Sequence, residues 1–377
     1  MTLLAFETSC DETAAAVVVD DEVRANVVAS QVSLHAEYGG VVPELAAREH
    51  LRHLPRVAAA ALRAAGVAAD AGRAAAATLG PGLPPALLAG VRAAQGFAFA
   101  RGLPFLGVHH HEAHLYSPWM TGRPPRGRWE EFRPNVSLIA SGGHTLLLHV
   151  PAEGLHTVLG ATQDDAAGEC FDKTAKLLGL PYPGGPLVDA LAADGNPAAH
   201  DFPRPLLRDA ASDDFSFSGL KTSVRYFLVK NPALLEDRQR VCDLCASVQA
   251  AIVEVLVTKL VRAARRLGVR LVTASGGVTL NRGFRARLRT EAAAAGLEVR
   301  LAEPALCTDN AAMIGGPRPP GRGRGGAPAA VDTGPAPAGS LTGTGPGGRT
   351  PAEECRELSS SPSAGSGAAR PGASGSG

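Results

Sequence analysis

Several features that would assign this 377-residue chain to a specialised class are scarce. Cysteine occurs six times at scattered positions, without the spacing of a disulfide framework, which argues against a disulfide-stapled secreted fold. No uninterrupted apolar run approaches the roughly 20 residues that span a bilayer. The N-terminus lacks the basic region and cleavage site of a secretory signal. We therefore expect a cytoplasmic protein without a membrane partner.

An excess of charge of either sign is also missing. The formal net charge of +1 excludes neither a nucleic acid nor an acidic partner, because a local basic patch can exist within a neutral total. Hydrophobic residues make up 45% of the chain, which allows two domains or one fold of two fused lobes. The pair Cys242-x-x-Cys245 lies in a helical pattern without a second pair, so a structural role is favoured over a zinc site.

What is present is a repeated pattern of strand, polar turn and strand. It occurs once at residues 3–19 and again at residues 136–150. A β-hairpin that opens each half of the chain predicts a duplicated α/β fold of two lobes. The periodicity of apolar residues predicts helices over Glu44 to Ala65, Pro85 to Ala100 and Ala246 to Leu267. We expect lobe borders at 1–108, 109–296 and 297–315, the last segment returning to the first lobe.

Two further segments have a distinctive composition. The basic run from Lys259 to Arg266 is typical of a solvated helix face. Residues 316–377 consist mainly of Gly, Pro, Ala, Ser and Arg, and such a tail cannot bury enough apolar surface to offset its ordering entropy. The abrupt change also fits a reading-frame change in a GC-rich gene.

A histidine cluster from His109 to His114 is the strongest local signal for chemistry. His110 and His114 are four residues apart, so on a helix they share a face and can bind one metal ion. Glu112 lies only two residues before the last histidine, unlike the general base of zinc proteases, and would point away from that face. A solvated polar helix start is the alternative interpretation.

Asp309 is the candidate third ligand, because a loop carboxylate that follows a strand could reach the histidines across a cleft. Its alternative role is to cap the helix that begins at Asn310. Two histidines and one carboxylate leave open coordination positions, as in a catalytic centre, and suit iron or zinc.

Glycine-rich turns follow three predicted strands, at Gly80 to Leu83, Ser141 to Thr145 and Ser275 to Gly277. Glycine lets backbone N–H groups approach an anion closely, so these turns favour a nucleotide site. A connecting role alone is the alternative. The acidic stretch Asp164 to Lys173 and the segment Tyr182 to Asp189 offer Asp172 and Asp189 to ribose hydroxyls, although an acidic helix start would explain them equally well.

Many of these motifs occur, in this order, in one known family, and the chain resembles the tRNA N6-adenosine threonylcarbamoyltransferases, formerly described as O-sialoglycoprotein endopeptidases. The resemblance covers Leu3 to about Gly315. It includes the segments 7–13, 39–44, 80–83, 110–114, 141–145, 164–173, 182–186, 215–222 and 307–314.

The resemblance implies a two-lobed fold of the actin, Hsp70 and sugar-kinase type with a nucleotide cleft. It implies transfer of threonylcarbamoyl from threonylcarbamoyl-AMP to N6 of the adenosine next to the tRNA anticodon, at position 37, in tRNAs that read codons beginning with adenine. Partners are tRNA and the accessory proteins of the pathway.

The resemblance also implies site residues. One divalent metal ion per subunit, iron by preference with zinc as the alternative, would be held by His110, His114 and Asp309. The adenylate would be held by residues at the glycine turns and the acidic segment: Ile139, Ala140, Ser141, Gly142, Gly143, Asp172, Gly185, Asp189 and Asn281.

Three functional alternatives stay open from the sequence. A sugar kinase or ATPase of the same fold would share the phosphate turns, but it would not require His110, His114 and Asp309. The histidine cluster would also suit a metalloprotease that cleaves glycoproteins. Family members continue after Ile314 as an ordered helix, and its replacement here by the low-complexity tail would also suit a catalytically impaired scaffold of the same tRNA-modification complex.

Overall fold

Two β-sheets organise the chain in the computed structural model, which describes residues 1–316; the predicted tail beyond Gly316 lies outside the described residues. The first sheet has the order β5-β4-β1-β2-β3-β7-β6 and the second β10-β9-β8-β11-β12. The first contains β1 Thr2–Glu7, β2 Glu12–Val19, β3 Glu22–Ser30, β4 Ala74–Gly80, β5 Phe105–His109, β6 Met120–Thr121 and β7 Arg126–Gly127. The second contains β8 Asn135–Ala140, β9 Thr145–Ala152, β10 Leu155–Ala161, β11 Leu271–Ser275 and β12 Glu298–Leu301.

Helices pack on both sheets. In the first half they are α1 Val32–Ala36, α2 Pro43–Ala65, α3 Pro84–Ala100 and α4 His110–Tyr116. In the second half they are α5 Ala167–Leu177, α6 Gly184–Ala192, α7 Ser218–Lys230, α8 Arg238–Arg266, α9 Arg282–Ala294 and α10 Ala311–Gly315. The predicted helices in the first half are confirmed to within one residue at their starts.

The two sheets repeat one design. In the first, β1 pairs antiparallel with β2 and parallel with β4. In the second, β8 pairs antiparallel with β9 and parallel with β11. The predicted hairpins and the duplication are therefore confirmed. Parallel pairing with a helical crossover buries both faces of the central strands, which explains why β1, β4, β8 and β11 are almost wholly apolar or small.

Helix α8 is the centre of the second lobe's core, and it begins eight residues earlier than predicted. By length and composition it could cross a membrane, but 78% of its most apolar window is buried within the fold, as in a core helix. Lys259 is fully buried and donates a hydrogen bond of 2.9 Å to the carbonyl of Ser212. The prediction of a solvated basic face is wrong at this position, because a lysine stem can pack in the core when its ammonium group has a carbonyl partner.

The C-terminal helix α10 returns to the first sheet. Ile314 is buried with Leu3 and Val18, and a Cβ at Gly315 would lie 2.8 Å from the Cβ of Ala5, so glycine allows this close approach. Each sheet continues past the border expected for its lobe, the first beyond residue 109 and the second beyond residue 297. The hairpin of β6 and β7 extends the first sheet through β3, and β12 pairs with β11 in the second.

We predict that Ile314→Ala lowers the free energy of unfolding by about 2–4 kcal/mol, because it leaves a cavity between α10 and the first sheet. Leu155→Ala, at a side chain that is 61% exposed, serves as the control and should change stability by less than about 0.5 kcal/mol. Urea unfolding of both variants measures the difference. Equal effects would contradict the packing of α10 described above.

Candidate metal centre and nucleotide cleft

Two histidines of α4 face each other across one helical turn. The chain leaves β5 at His109 and enters α4 at His110, so the end of a sheet strand fixes the position of the helix. The ring centroids of His110 and His114 are 4.8 Å apart at an angle of 88°, and both side chains are buried. The predicted helical pair is present, and a solvated helix start is ruled out by its burial.

Asp309 approaches this pair from the other end of the described chain. Its Oδ1 lies 3.5 Å from Nε2 of His110 and 3.2 Å from Nε2 of His114. Asn310, not Asp309, caps α10: its side chain accepts the N–H of Met313 at 3.0 Å. The capping alternative for Asp309 is therefore wrong, and its carboxylate is directed to the histidines.

A second carboxylate lies behind His110. Glu7 is fully buried, and its Oε2 is 3.2 Å from Nδ1 of His110. Thr78 donates its hydroxyl to the same Oε2 at 2.6 Å. A carboxylate next to Nδ1 keeps a proton on that nitrogen, so Nε2 is the nitrogen through which His110 could bind a metal ion. Sequence reasoning did not assign this role, because 103 residues separate Glu7 from His110.

The donor set fits a divalent metal ion. One nitrogen from each histidine and one oxygen of Asp309 lie within 4.8 Å of one another, the arrangement of two imidazoles and a carboxylate that iron and zinc sites use. The carboxylate of Glu7 supplies the outer partner that metal-bound histidines usually have. His110, His114 and Asp309 could therefore hold the metal.

Opposite charges in this buried cluster shift its proton equilibria. Burial acts to lower the pKa of His110, but the carboxylates of Asp309 and Glu7 outweigh it and raise that pKa to about 9. Burial acts to raise the pKa of Asp309, but His110 and His114 hold it well below its usual range. Without a metal ion, a proton on His110 thus offsets part of the negative charge of the two carboxylates.

A cleft of about 1210 Å³ adjoins this cluster at His110 and Asp309. It is lined by Ser141, Gly142 and Gly143 at the turn between β8 and β9, and by His110 and Asp309. A Cβ at Gly142 or Gly143 would meet no atom within 4 Å, so both face open space. Ile139 and Ala140, which were predicted with this turn, are instead fully buried in β8 and do not line the cleft.

Two glycines outside the turn after β8 lie in close contact with its backbone. A Cβ at Gly276, which has φ of 91°, would lie 2.3 Å from the carbonyl oxygen of Ala140. A Cβ at Gly168 would lie 2.5 Å from the carbonyl oxygen of Ser141. Both positions require glycine, and together they bring the start of α5 and the end of β11 against the turn after β8.

The remaining predicted residues also line the cleft, and each is held by the fold. Oδ1 of Asp172 accepts the N–H groups of Gly184 and Gly185 at 2.8 and 3.0 Å. Oδ2 of Asp189 accepts a hydrogen bond of 2.9 Å from Nε of Arg282. Asn281 caps α9 through the N–H of Phe284 at 2.9 Å. Every predicted adenylate-binding residue except the two in β8 therefore lines the cleft, together with the predicted metal ligands His110 and Asp309.

Comparison with known proteins identifies the family. The family model of the tRNA N6-adenosine threonylcarbamoyltransferases (TsaD) matches residues 22–316. The enzyme of that name from Geotalea uraniireducens is 52% identical over 318 residues, which cover 84% of this chain and 90% of the relative. The chain belongs to this family. A relative of the same name from Geobacter metallireducens is also 52% identical, over 84% of this chain and 91% of its own length.

Membership in the family defines the general activity. The chain is a transferase of the acyltransferase class that acts in tRNA modification. Solved structures of low sequence identity support the fold of this chain and nothing beyond it. HypF from T. kodakarensis has a TM-score of 0.51 at 15% identity, covering 83% of this chain and 46% of its own, in line with the actin, Hsp70 and sugar-kinase class.

Two acidic residues of the first polar turn also line the cleft of this transferase, and sequence reasoning had not assigned them. Asp11 is buried, and Glu12 follows it at the start of β2. Burial, together with Asp11 and Asp309, raises the pKa of Glu12 well above its usual range. The only sequence signal was that both belong to a polar turn directly after a buried strand.

We predict that Glu7→Ala weakens metal binding by about 10- to 100-fold, because His110 loses the partner that fixes its orientation. Glu130→Ala, at a carboxylate that is 67% exposed, is the matched control and should bind as the parent does. Isothermal titration with Zn²⁺ measures both affinities. An unchanged affinity in Glu7→Ala would show that Glu7 does not support the centre.

We also predict that metal binding releases a proton. The pKa of His110 is raised to about 9, so at pH 7.5 the metal-free imidazole is mostly protonated and must lose its proton to bind. The affinity for Zn²⁺ should therefore rise with pH until about pH 9. Calorimetry at pH 7.5 in buffers of different ionisation enthalpy counts the released protons, and a count near zero would contradict the charge balance described above.

Proposed function

We propose that this chain transfers the threonylcarbamoyl group of threonylcarbamoyl-AMP to N6 of adenosine 37 in tRNAs that read codons beginning with adenine. The single observation that carries the proposal is the convergence of His110, His114 and Asp309 at a cleft with glycine-rich turns, in a chain of this family. The cleft volume of about 1210 Å³ is ample for a nucleotide adduct.

The adenylate is assigned to the glycine turns and the acidic segment. The backbone N–H groups of Gly142 and Gly143 would hold its phosphate, because both glycines face open space, whereas the N–H of Ser141 donates to the carbonyl of His144 at 2.8 Å. The backbone contacts of Asp172 use Oδ1, and we assign Oδ2 to a ribose hydroxyl. Asp189 would bind the same sugar, and Gly185 and Asn281 lie on the same wall.

The reaction needs orientation more than acid or base strength. N6 of the acceptor adenosine attacks the carbamoyl carbon, the C–O bond to the phosphate breaks, and AMP leaves while N6 loses a proton. Holding both substrates in one cleft converts an encounter in solution into a reaction within a complex, which can supply much of the acceleration. A bound metal ion would supply Lewis-acid polarisation and a fixed point for the reacting carbonyl.

One divalent ion per subunit is proposed, iron by preference and zinc as the alternative. Both suit two imidazoles and one carboxylate with open positions. We further propose that the protein works in the cytoplasm with accessory proteins that make the intermediate and assist the transferase.

The structure favours the transferase over the metalloprotease. Glu112 is buried in α4 and is not among the residues that line the cleft, so it is poorly placed to activate water there. The scaffold alternative is addressed by the experiment below, because an impaired scaffold would leave tRNA unmodified.

We predict that cells whose only copy of this enzyme is the parental chain contain N6-threonylcarbamoyladenosine in their tRNA, measured by mass spectrometry of nucleosides. His110→Ala should abolish it because the metal centre loses a ligand. His53→Ala is the control, since that side chain is 38% exposed and lies on α2.

Two results would contradict the proposal. Normal tRNA modification by a folded His110→Ala protein would show that the reaction does not need the metal centre. Absence of the nucleoside in cells that contain folded parental protein would favour the scaffold.

A further inference from the structure

Helix α7 is strongly basic on a surface that the fold leaves exposed. It contains Lys221, Arg225 and Lys230 and no acidic residue. Arg225 and Lys230 are exposed, and neither forms a salt bridge with any residue in the described range 1–316. Two cations without a counter-charge on one helix create a local positive potential that attracts an anionic partner.

The same helix exposes large apolar side chains between these charges. Tyr226 is 64% exposed and Val229 is 71% exposed. Residues three and four apart share a helix face, so Arg225, Val229, Tyr226 and Lys230 form one continuous surface, which we call the α7 face. An aromatic ring that is flanked by cations suits an unstacked nucleic-acid base between phosphates.

Charged side chains connect the α7 face to the cleft. Nζ of Lys221 is 2.7 Å from Oδ2 of Asp165, and Nζ of Lys173 is 3.0 Å from Oδ1 of the same carboxylate. Lys173 and Lys176 line the cleft. Tyr226 follows Lys221 by five residues, which is about 7.5 Å along a helix axis. The α7 face therefore starts near the cleft rim, within reach of a tRNA whose adenosine enters the cleft.

We propose that the α7 face binds the anticodon region of the acceptor tRNA. Tyr226 stacks on a nucleotide of the loop, and Arg225 and Lys230 contact backbone phosphates. This inference rests on the proposed function, because it takes tRNA as the acceptor. It assigns to α7 the task of holding the RNA while the target adenosine occupies the cleft.

The test measures binding of a fluorescently labelled, unmodified tRNA transcript to the full chain by anisotropy at several salt concentrations. Tyr226→Ala should weaken binding by about tenfold, and Tyr226→Phe should retain it, because stacking needs the ring and not the hydroxyl. In the double variant Arg225→Ala/Lys230→Ala, the slope of log Kd against log salt should fall by about 1.5, as expected for two lost phosphate contacts.

Matched controls lie elsewhere on the surface. Phe99→Ala removes a ring that is 90% exposed, and Arg265→Ala removes an exposed cation at the end of α8. Both should bind tRNA as the parent does. Binding of AMP by every variant checks that the cleft is intact.

Three results would overturn the inference. If the parent binds tRNA and the α7 variants bind equally well, the proposed function stands and the α7 face serves another partner, such as an acidic protein. If the α7 variants and the control variants lose the same amount of tRNA affinity, the tRNA binds non-specifically to basic surface. A parent chain that binds AMP but no tRNA would count against this inference and also against the acceptor in the proposed function.

Discussion

The architecture of this transferase depends on one buried cluster of opposite charges. His110 and His114 lie in a helix at the end of β5, and Asp309 reaches them from a position 195 residues after His114. Apolar packing of α10 on the first sheet brings the two segments together, and because buried charges are costly unless they are paired, each segment then supplies the partner that the other needs. The carboxylate of Glu7 behind His110 extends the cluster into the first strand of the fold. A metal ion would replace the proton on His110 that offsets part of this negative charge.

The duplicated fold explains where this cluster lies. Each lobe has a sheet whose opening hairpin carries a polar turn, and residues of both turns line the same cleft. Asp11 and Glu12 of the first turn line the cleft, and so do Ser141, Gly142 and Gly143 of the second turn. Glycines at positions 168 and 276 let neighbouring elements approach the second turn within distances that no side chain would allow. A nucleotide site and a metal site therefore share one crevice.

Local patterns in the sequence were sufficient to predict the hairpins, the main helices and the histidine pair, because strand alternation and helical spacing are properties of short segments. Contacts between distant segments could not be read in this way. Glu7 supports His110 across 103 residues, and Arg282 holds Asp189 across 93. The burial of Lys259 depends on a carbonyl from another segment. Ile139 and Ala140 were assigned by resemblance, and their position in the buried strand β8 places them behind the cleft rather than in it.

The central claim is that His110, His114 and Asp309 bind one ion together. The most direct test is an anomalous difference map from a crystal soaked with Zn²⁺ and measured on both sides of the zinc absorption edge. We predict one strong peak about 2.0–2.2 Å from Nε2 of both histidines and from a carboxylate oxygen of Asp309. Three side chains directed to separate places, with the peak elsewhere or absent, would contradict the account.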